Sequence, residues 1–238
     1  MNYLLGVDVG TSSTKSVLLA ESGEVAAIGQ KAYDFDTPRP GWAEQEPDVW
    51  WNAAKETIQQ VLHASHIDPT RIQGIGFSGQ MHGPVFLDWA GNNLRPAIIW
   101  ADQRSTQECQ SIYDTVGKEG LYRTVGNPVD SGFMAATLLW IKRHEPDIYK
   151  QIHTLLLPKD YVKYRLTDVP VTDPSDAGGT SLYDVRNLRW SSEMAEWLGL
   201  SVEMFADVKP SKEIVGVVSR RAAGETGLAA GTPVINGG

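Results

Sequence analysis

Asp8 stands in Gly6-Val7-Asp8-Val9-Gly10-Thr11-Ser12-Ser13-Thr14-Lys15, a carboxylate at the end of an apolar run with a Gly-Thr-Ser-Ser turn close behind it. Such a turn offers backbone N–H groups and hydroxyls on one side, a donor set suited to a polyphosphate. A carboxylate just ahead of it suits Mg²⁺, a hard ion that keeps part of its hydration shell and also takes oxygens from a nucleotide. The segment reads as a nucleotide grip, with Asp8 at the metal and Gly10, Thr11, Ser12 and Ser13 at the phosphates. The competing reading is a plain hairpin in which Gly10 supplies a positive φ and Asp8 is merely hydrogen-bonded at a strand end.

Two other phosphate-binding patterns are excluded. No stretch matches the P-loop, so a strand-turn-helix NTPase is disfavoured. Gly74-Ile75-Gly76-Phe77-Ser78-Gly79 fits the dinucleotide fingerprint in its letters, but that fingerprint needs a helix after its glycines. Here Gln80-Met81-His82-Gly83-Pro84 leads into another apolar run at 85–87. The Rossmann reading fails.

The elements that must position these residues follow from periodicity. Strands are predicted over 3–9, 15–20 and about 24–32, forming a meander. After a Pro-rich segment, Pro47 and Asp48 open a helix whose Trp50, Ala54, Ile58, Val61 and Leu62 fall on one face to about residue 63. Further strands are predicted at 72–77, 85–88, 97–100 and 155–157, and helices at 105–116, 134–143, 160–166 and 190–198. Residues 172–180 fit neither period and read as a polar, Gly-rich loop. The order β-β-β-α-β with more helix afterwards predicts an α/β fold, a mixed β-sheet flanked by helices. With the Asp-x-Gly-Thr turn it suggests the ribonuclease-H-like core of the actin, hexokinase and Hsp70 ATPase superfamily, in which nucleotide binds between two facing domains.

Composition sets outer limits. The 238 residues, 42% hydrophobic and 21% charged, suffice for one large or two small domains with a proper core. A net charge of -8 with no concentrated basic patch argues against nucleic-acid and anionic-membrane partners. Cys109 is the single cysteine and falls in a predicted helix, which fits a half-buried thiol in a reduced compartment. Met1-Asn2-Tyr3 opens without a signal-peptide pattern, and no membrane span is apparent, so a cytoplasmic location is expected.

Several motifs together resemble the FGGY carbohydrate kinases, and within them the xylulokinases. The resemblance runs through nearly the whole chain. It comprises the 6–15 turn, Trp42-Ala43-Glu44-Gln45 followed by Pro47 and the Trp50-Trp51 pair, Gly79-Gln80-Met81-His82-Gly83, Ile98-Ile99-Trp100-Ala101-Asp102-Gln103-Arg104, Leu157-Pro158-Lys159-Asp160-Tyr161, and Asp173 to Thr180. It departs at Gly178, where the family more often has Ser or Ala.

The resemblance implies ATP and Mg²⁺ as cofactors, D-xylulose as the small-molecule partner, and transfer of the γ-phosphoryl group to its terminal hydroxyl. Asp8 would organise Mg²⁺ while Thr11, Ser12 and Ser13 steady the transferring group; Lys15 adds positive charge or only an ion pair. Gln80, Met81 and His82 would form the sugar loop, since a neutral His beside irregular backbone can pair with adjacent hydroxyls. Taken alone, His82 would be a satisfied structural histidine. Trp100 is a cleft wall or a core Trp; Asp102 accepts from a hydroxyl or pairs with Arg104; Arg123 reaches the sugar or is a surface arginine. Asp173 and Asp176 would brace the loop over the site.

In the family, Pro-Val-x-x-Gly-Gly is followed closely by a Gly-Asp pair whose aspartate is the general base. This sequence has Pro233-Val234-Ile235-Asn236-Gly237-Gly238. The expectation is an N-terminal sugar-binding domain over 1–238, with the base beyond Gly238 and the nucleotide half of the cleft supplied by a C-terminal domain. An uncovered edge there would favour a homodimer or aggregation. The rivals are a kinase of ribulose, gluconate, glycerol or another polyol, a non-catalytic sugar- or nucleotide-binding module, and a chaperone-like or actin-like ATPase.

Overall fold

A computed structural model describes residues 1–237. Its centre is a six-stranded mixed sheet. Strands β1 (Tyr3–Val9), β2 (Ser13–Ala20) and β3 (Val25–Ala32) form the antiparallel meander. Strand Ile72–Gly79 lies parallel on the other side of β1, Pro233–Ile235 lies parallel beside it, and Ile214–Val217 closes that edge antiparallel. This is the ribonuclease-H-like order expected from the sequence.

Alternation along β1 decides its orientation. Leu5, Val7 and Val9 are buried, whereas Leu4 and Asp8 are exposed on the opposite face. Helix α1 (Pro47–Ser65) covers the buried face with Trp50, Ala54, Ile58 and Val61. Pro47 and Asp48 open it, as the sequence predicts, and His66 in the left-handed region (φ 52°) ends it. Ser16 and Thr57 bridge strand and helix through a 2.7 Å hydroxyl–hydroxyl bond, which satisfies two buried polar groups at once. A second core is built from the later helices, with Ile112, Leu121, Leu138, Ile141, Met194 and Phe205 among its members.

Three local expectations are corrected. The predicted loop at 172–180 contains a helix, Pro174–Gly178, because Asp173 caps it by accepting from the Ser175 amide at 3.1 Å. The helix expected at 105–116 continues over Thr106–Thr124, interrupted at Gly117, where φ is 71° and ψ 160°. Trp190 belongs to a short hairpin with Tyr183 rather than to the following helix, Ser192–Leu198. Among the described residues, no helix is long and apolar enough to cross a membrane.

Candidate active site

Register brings the two candidate segments side by side. Asp8 pairs with Ser78 and Val9 with Gly79 across neighbouring parallel strands, so the 10–13 turn and the 80–84 loop leave the same end of the sheet together. The Gln80 amide continues the ladder to the Val9 carbonyl at 2.8 Å. Ser78 Oγ donates to Asp8 Oδ1 at 2.7 Å, and Lys15 is the register partner of Asp8 on β2. Asp8 and Lys15 form no ion pair with each other or with any other described residue, and both are exposed.

The turn is fixed from behind. The Gly10 amide closes it on the Ser13 carbonyl at 3.0 Å, and the backbone is so tight that a Cβ at Gly10 would fall 2.9 Å from that oxygen. Tyr33 donates to the Gly10 carbonyl at 2.7 Å, and burial pushes its hydroxyl up to about 12, which keeps it a donor. Gln45 Nε2 donates to the Thr11 carbonyl at 2.8 Å, and Trp100 Nε1 to Thr11 Oγ1 at 2.9 Å. The Thr11 and Ser12 amides donate to nothing among the described residues. A rigid turn with two unengaged amides beside hydroxyls whose protons are free to donate is a ready anion nest.

The neighbouring loop holds a histidine in a constrained pose. His82 has φ 75°, stacks on Phe133 with ring centroids 3.9 Å apart, and places Nδ1 2.7 Å from the Gly179 carbonyl. Burial lowers its pKa, although that hydrogen bond works the other way. A carbonyl only accepts, so Nδ1 carries the proton, and in the neutral ring Nε2 is left as an acceptor. No described residue uses it. Gly179 packs closely on the loop: a Cβ there would fall 2.7 Å from Met81 Cε, the free end of a flexible side chain, and 3.2 Å from His82 Cε1.

The model for the N-terminal domain of the FGGY carbohydrate kinases matches residues 3–238. The chain belongs to that family. It is 37% identical over 239 residues to the xylulose kinase of Staphylococcus xylosus, covering 100% of this chain and 49% of that protein. It superposes on the crystal structure of xylulose kinase from Rhodospirillum rubrum with a TM-score of 0.94 at 28% identity, over 100% of this chain and 49% of that one. On the crystal structure of gluconate kinase from Lactobacillus acidophilus the TM-score is 0.92 at 28% identity, over 99% and 47%. The chain spans about half the length of the curated relatives it matches.

Within this FGGY domain, the structure gathers Asp8, Gly10, Thr11, Ser12, Ser13, Gln80 and Trp100 around the turn, and Met81 and His82 against Gly179. Gln80 faces inward: Nε2 donates to Gln45 Oε1 at 2.9 Å, which makes it a brace of the turn. Trp100 is 49% exposed, so it is not a core residue. Asp102 is fully buried and of its two roles the structure has the ion pair: Arg104 Nη2 lies 2.8 Å from Oδ2, and the Ala43 amide donates to the same oxygen at 2.6 Å. Arg123, its side chain 68% exposed, turns toward Glu193 at 3.7 Å and joins no other site residue. Asp173 and Asp176 meet at Lys159 beneath the Gly179 loop.

The donor set fits Mg²⁺ held mainly by water and nucleotide. Asp8 is one exposed carboxylate beside a hydroxyl, and no group of three acidic, His or Cys residues placed to hold a metal ion occurs among the described residues. Sequence reasoning missed Phe133, Tyr33 and Asn127. Phe133 sits outside every motif and meets His82 only through the fold, whereas Gln45 and Lys159 lay inside quoted motifs without an assigned role. The expected base beyond Gly238 lies outside the described residues.

Proposed function

We propose that this domain is the sugar-binding half of an ATP-dependent kinase that phosphorylates the terminal hydroxyl of D-xylulose. The carrying observation is the pairing of Asp8 with Ser78 and Val9 with Gly79, which sets the 10–13 turn and the 80–84 loop side by side and supports their reading as phosphate turn and sugar loop. Phosphoryl transfer asks chiefly for such positioning, together with charge stabilisation. Bound Mg²⁺ and ATP would supply the phosphoryl group and neutralise its charge, with Asp8 as the protein's contribution to the metal. Thr11, Ser12 and Ser13 donate to phosphate oxygens; Lys15 adds positive charge on the same face.

His82 Nε2 accepts from one sugar hydroxyl, Met81 shapes the loop against Gly179, and Trp100 walls the cleft. Closure of a second domain over this one would exclude the water that otherwise competes for the phosphoryl group. The relatives' being twice as long supports that second domain, which would also bring the general base. Gluconate is the second reading, since the gluconate kinase superposes at 28% identity, the same as the xylulose kinase. A sugar pocket separates such acceptors by a few hydrogen bonds.

The test is ADP release by the natural protein carrying these residues, with D-xylulose, D-ribulose, gluconate and glycerol compared. Highest kcat/KM on D-xylulose supports the reading; preference for gluconate replaces the substrate, and silence on every acceptor removes the kinase.

A further inference from the structure

Beneath the site lies a charge cluster that the proposed chemistry does not use. Lys159 opens the Pro158–Thr167 helix and is 1% exposed; its ammonium lies 2.8 Å from Asp160 Oδ1, 2.8 Å from Asp173 Oδ1 and 3.0 Å from Asp176 Oδ2. Burial opposes its charge, but the three carboxylates outweigh burial and hold it above the usual lysine range. Lys163, one turn on, shares Asp160 Oδ1 at 2.9 Å and donates to the Asn236 carbonyl at 2.7 Å. Burying ions is costly unless each is paired, and apolar replacements often serve stability as well. What the cluster does beyond stability is fix geometry in two directions.

Toward the sugar loop, Asp173 caps the Pro174–Gly178 helix and Asp176 lies within it. That helix delivers two carbonyls: Gly178 O accepts from Asn127 Nδ2 at 2.7 Å, and Gly179 O accepts from His82 Nδ1 at 2.7 Å. Toward the last sheet strand, Asn236 Nδ2 donates to the Thr172 carbonyl at 2.8 Å, and Gly237 packs so closely on Asp173 that a Cβ would fall 2.7 Å from its Cγ. One ammonium is thus common to the support of the His82 ring and to the Asn236–Gly237 strand end.

We propose that Lys159 is a positioning residue: through Asp173 and Asp176 it sets the Gly179 carbonyl that orients His82, and through Asp160 and Lys163 it ties that carbonyl to Asn236 and Gly237. Its value to catalysis rests on His82 being a sugar contact. The coupling itself does not. A brace of this kind keeps acceptor loop and strand end in one fixed relation, which a buried apolar side chain, with no direction to its contacts, does not enforce.

The test is NMR of the whole chain with labelled histidine and glycine, the His82 signals being assigned from a His82→Gln variant. Lys159→Met keeps the length and removes the charge; Asp176→Asn keeps the shape and removes a carboxylate whose ionised form burial opposes. The expected result is a shift of the His82 Cε1 signal and a mixed ring tautomer in both variants, a moved Gly237 amide in Lys159→Met, and several-fold weaker D-xylulose binding. Folded variants with His82 and Gly237 at their original positions overturn the proposal, and if Lys159→Met does not fold, Asp176→Asn decides alone. A D-xylulose titration of the unsubstituted chain separates the two ideas. Ring shifts in the variants with no sugar response leave the coupling standing and remove the sugar contact; a sugar response with an unmoved ring does the reverse.

Discussion

His82 lies flat on Phe133, their planes 8° apart, while its Nδ1 is anchored on the Gly179 carbonyl. Platform and anchor fix the ring's plane and its tautomer. Stacking of this kind contributes about 0.5–1.5 kcal/mol, so Phe133→Leu should raise KM for the sugar about 2- to 10-fold and leave kcat nearly unchanged. Because burial lowers the His82 pKa from 6.5, the neutral acceptor survives through pH 6.5. The midpoint of any loss of D-xylulose affinity on acidification should therefore lie below pH 6.5. An affinity midpoint at or above pH 6.5 contradicts this role.

Gln45 is the strut between the two segments. It donates to the Thr11 carbonyl at 2.8 Å and accepts from Gln80 Nε2 at 2.9 Å and Trp50 Nε1 at 3.1 Å. Gln45→Ala removes the acceptor of the buried Gln80 and Trp50 donors, at about 1–3 kcal/mol each. Thermal stability should fall and KM for ATP rise, both measurable on one preparation. Unchanged stability would show the turn to be held elsewhere.

Asp102 is engaged in a buried ion pair. Its Arg104 partner is packed on Trp42, 3.6 Å from the ring centroid, and also pairs with Glu44 at 2.7 Å. Asp102→Ala leaves a buried guanidinium short of a counter-charge and should cost about 3–5 kcal/mol in denaturant unfolding. Sugar affinity of the folded fraction should be retained. Lost affinity at full stability would return Asp102 to the sugar site.

Asp176 makes stability depend on pH in an unusual direction. Burial pushes its carboxyl up from 3.8 to about 6, with Asp160 and Asp173 adding to the rise and Lys159 opposing it. The native state therefore binds this proton more tightly than the unfolded chain does, so the group's contribution falls as pH rises from about 4 to 6. At pH 7, Asp176→Asn should be more stable than the parent by on the order of 1–3 kcal/mol, a gap that closes on acidification to pH 4. Melting curves at the two pH values check this; a gap independent of pH refutes it.

Much of this was legible in the sequence. Alternation in β1 and the helical spacing of Trp50, Ala54 and Ile58 place the sheet and α1 directly, since burial on one face leaves a period. The turn at 10–13 was legible because its chemistry is contiguous. His82 was found through its loop, but Phe133, 51 positions on by the chain's own numbering, joins it only in space and carries no local signal. Asp102 and Arg104 were legible as a pair of types, yet whether a carboxylate faces a hydroxyl or a guanidinium depends on burial that spacing does not encode. The Asp173 cap was overlooked because a five-residue helix is too short to show its period.

The proposed function rests on a division of labour between Asp8 at the phosphates and His82 at the sugar. It is tested most directly by steady-state ADP release on D-xylulose for the natural protein, Asp8→Asn and His82→Ala. Asp8→Asn should lower kcat about 10²- to 10³-fold with KM for the sugar retained, and His82→Ala should raise that KM with kcat largely kept. Interchanged effects, or no turnover of D-xylulose by the natural protein, would contradict it.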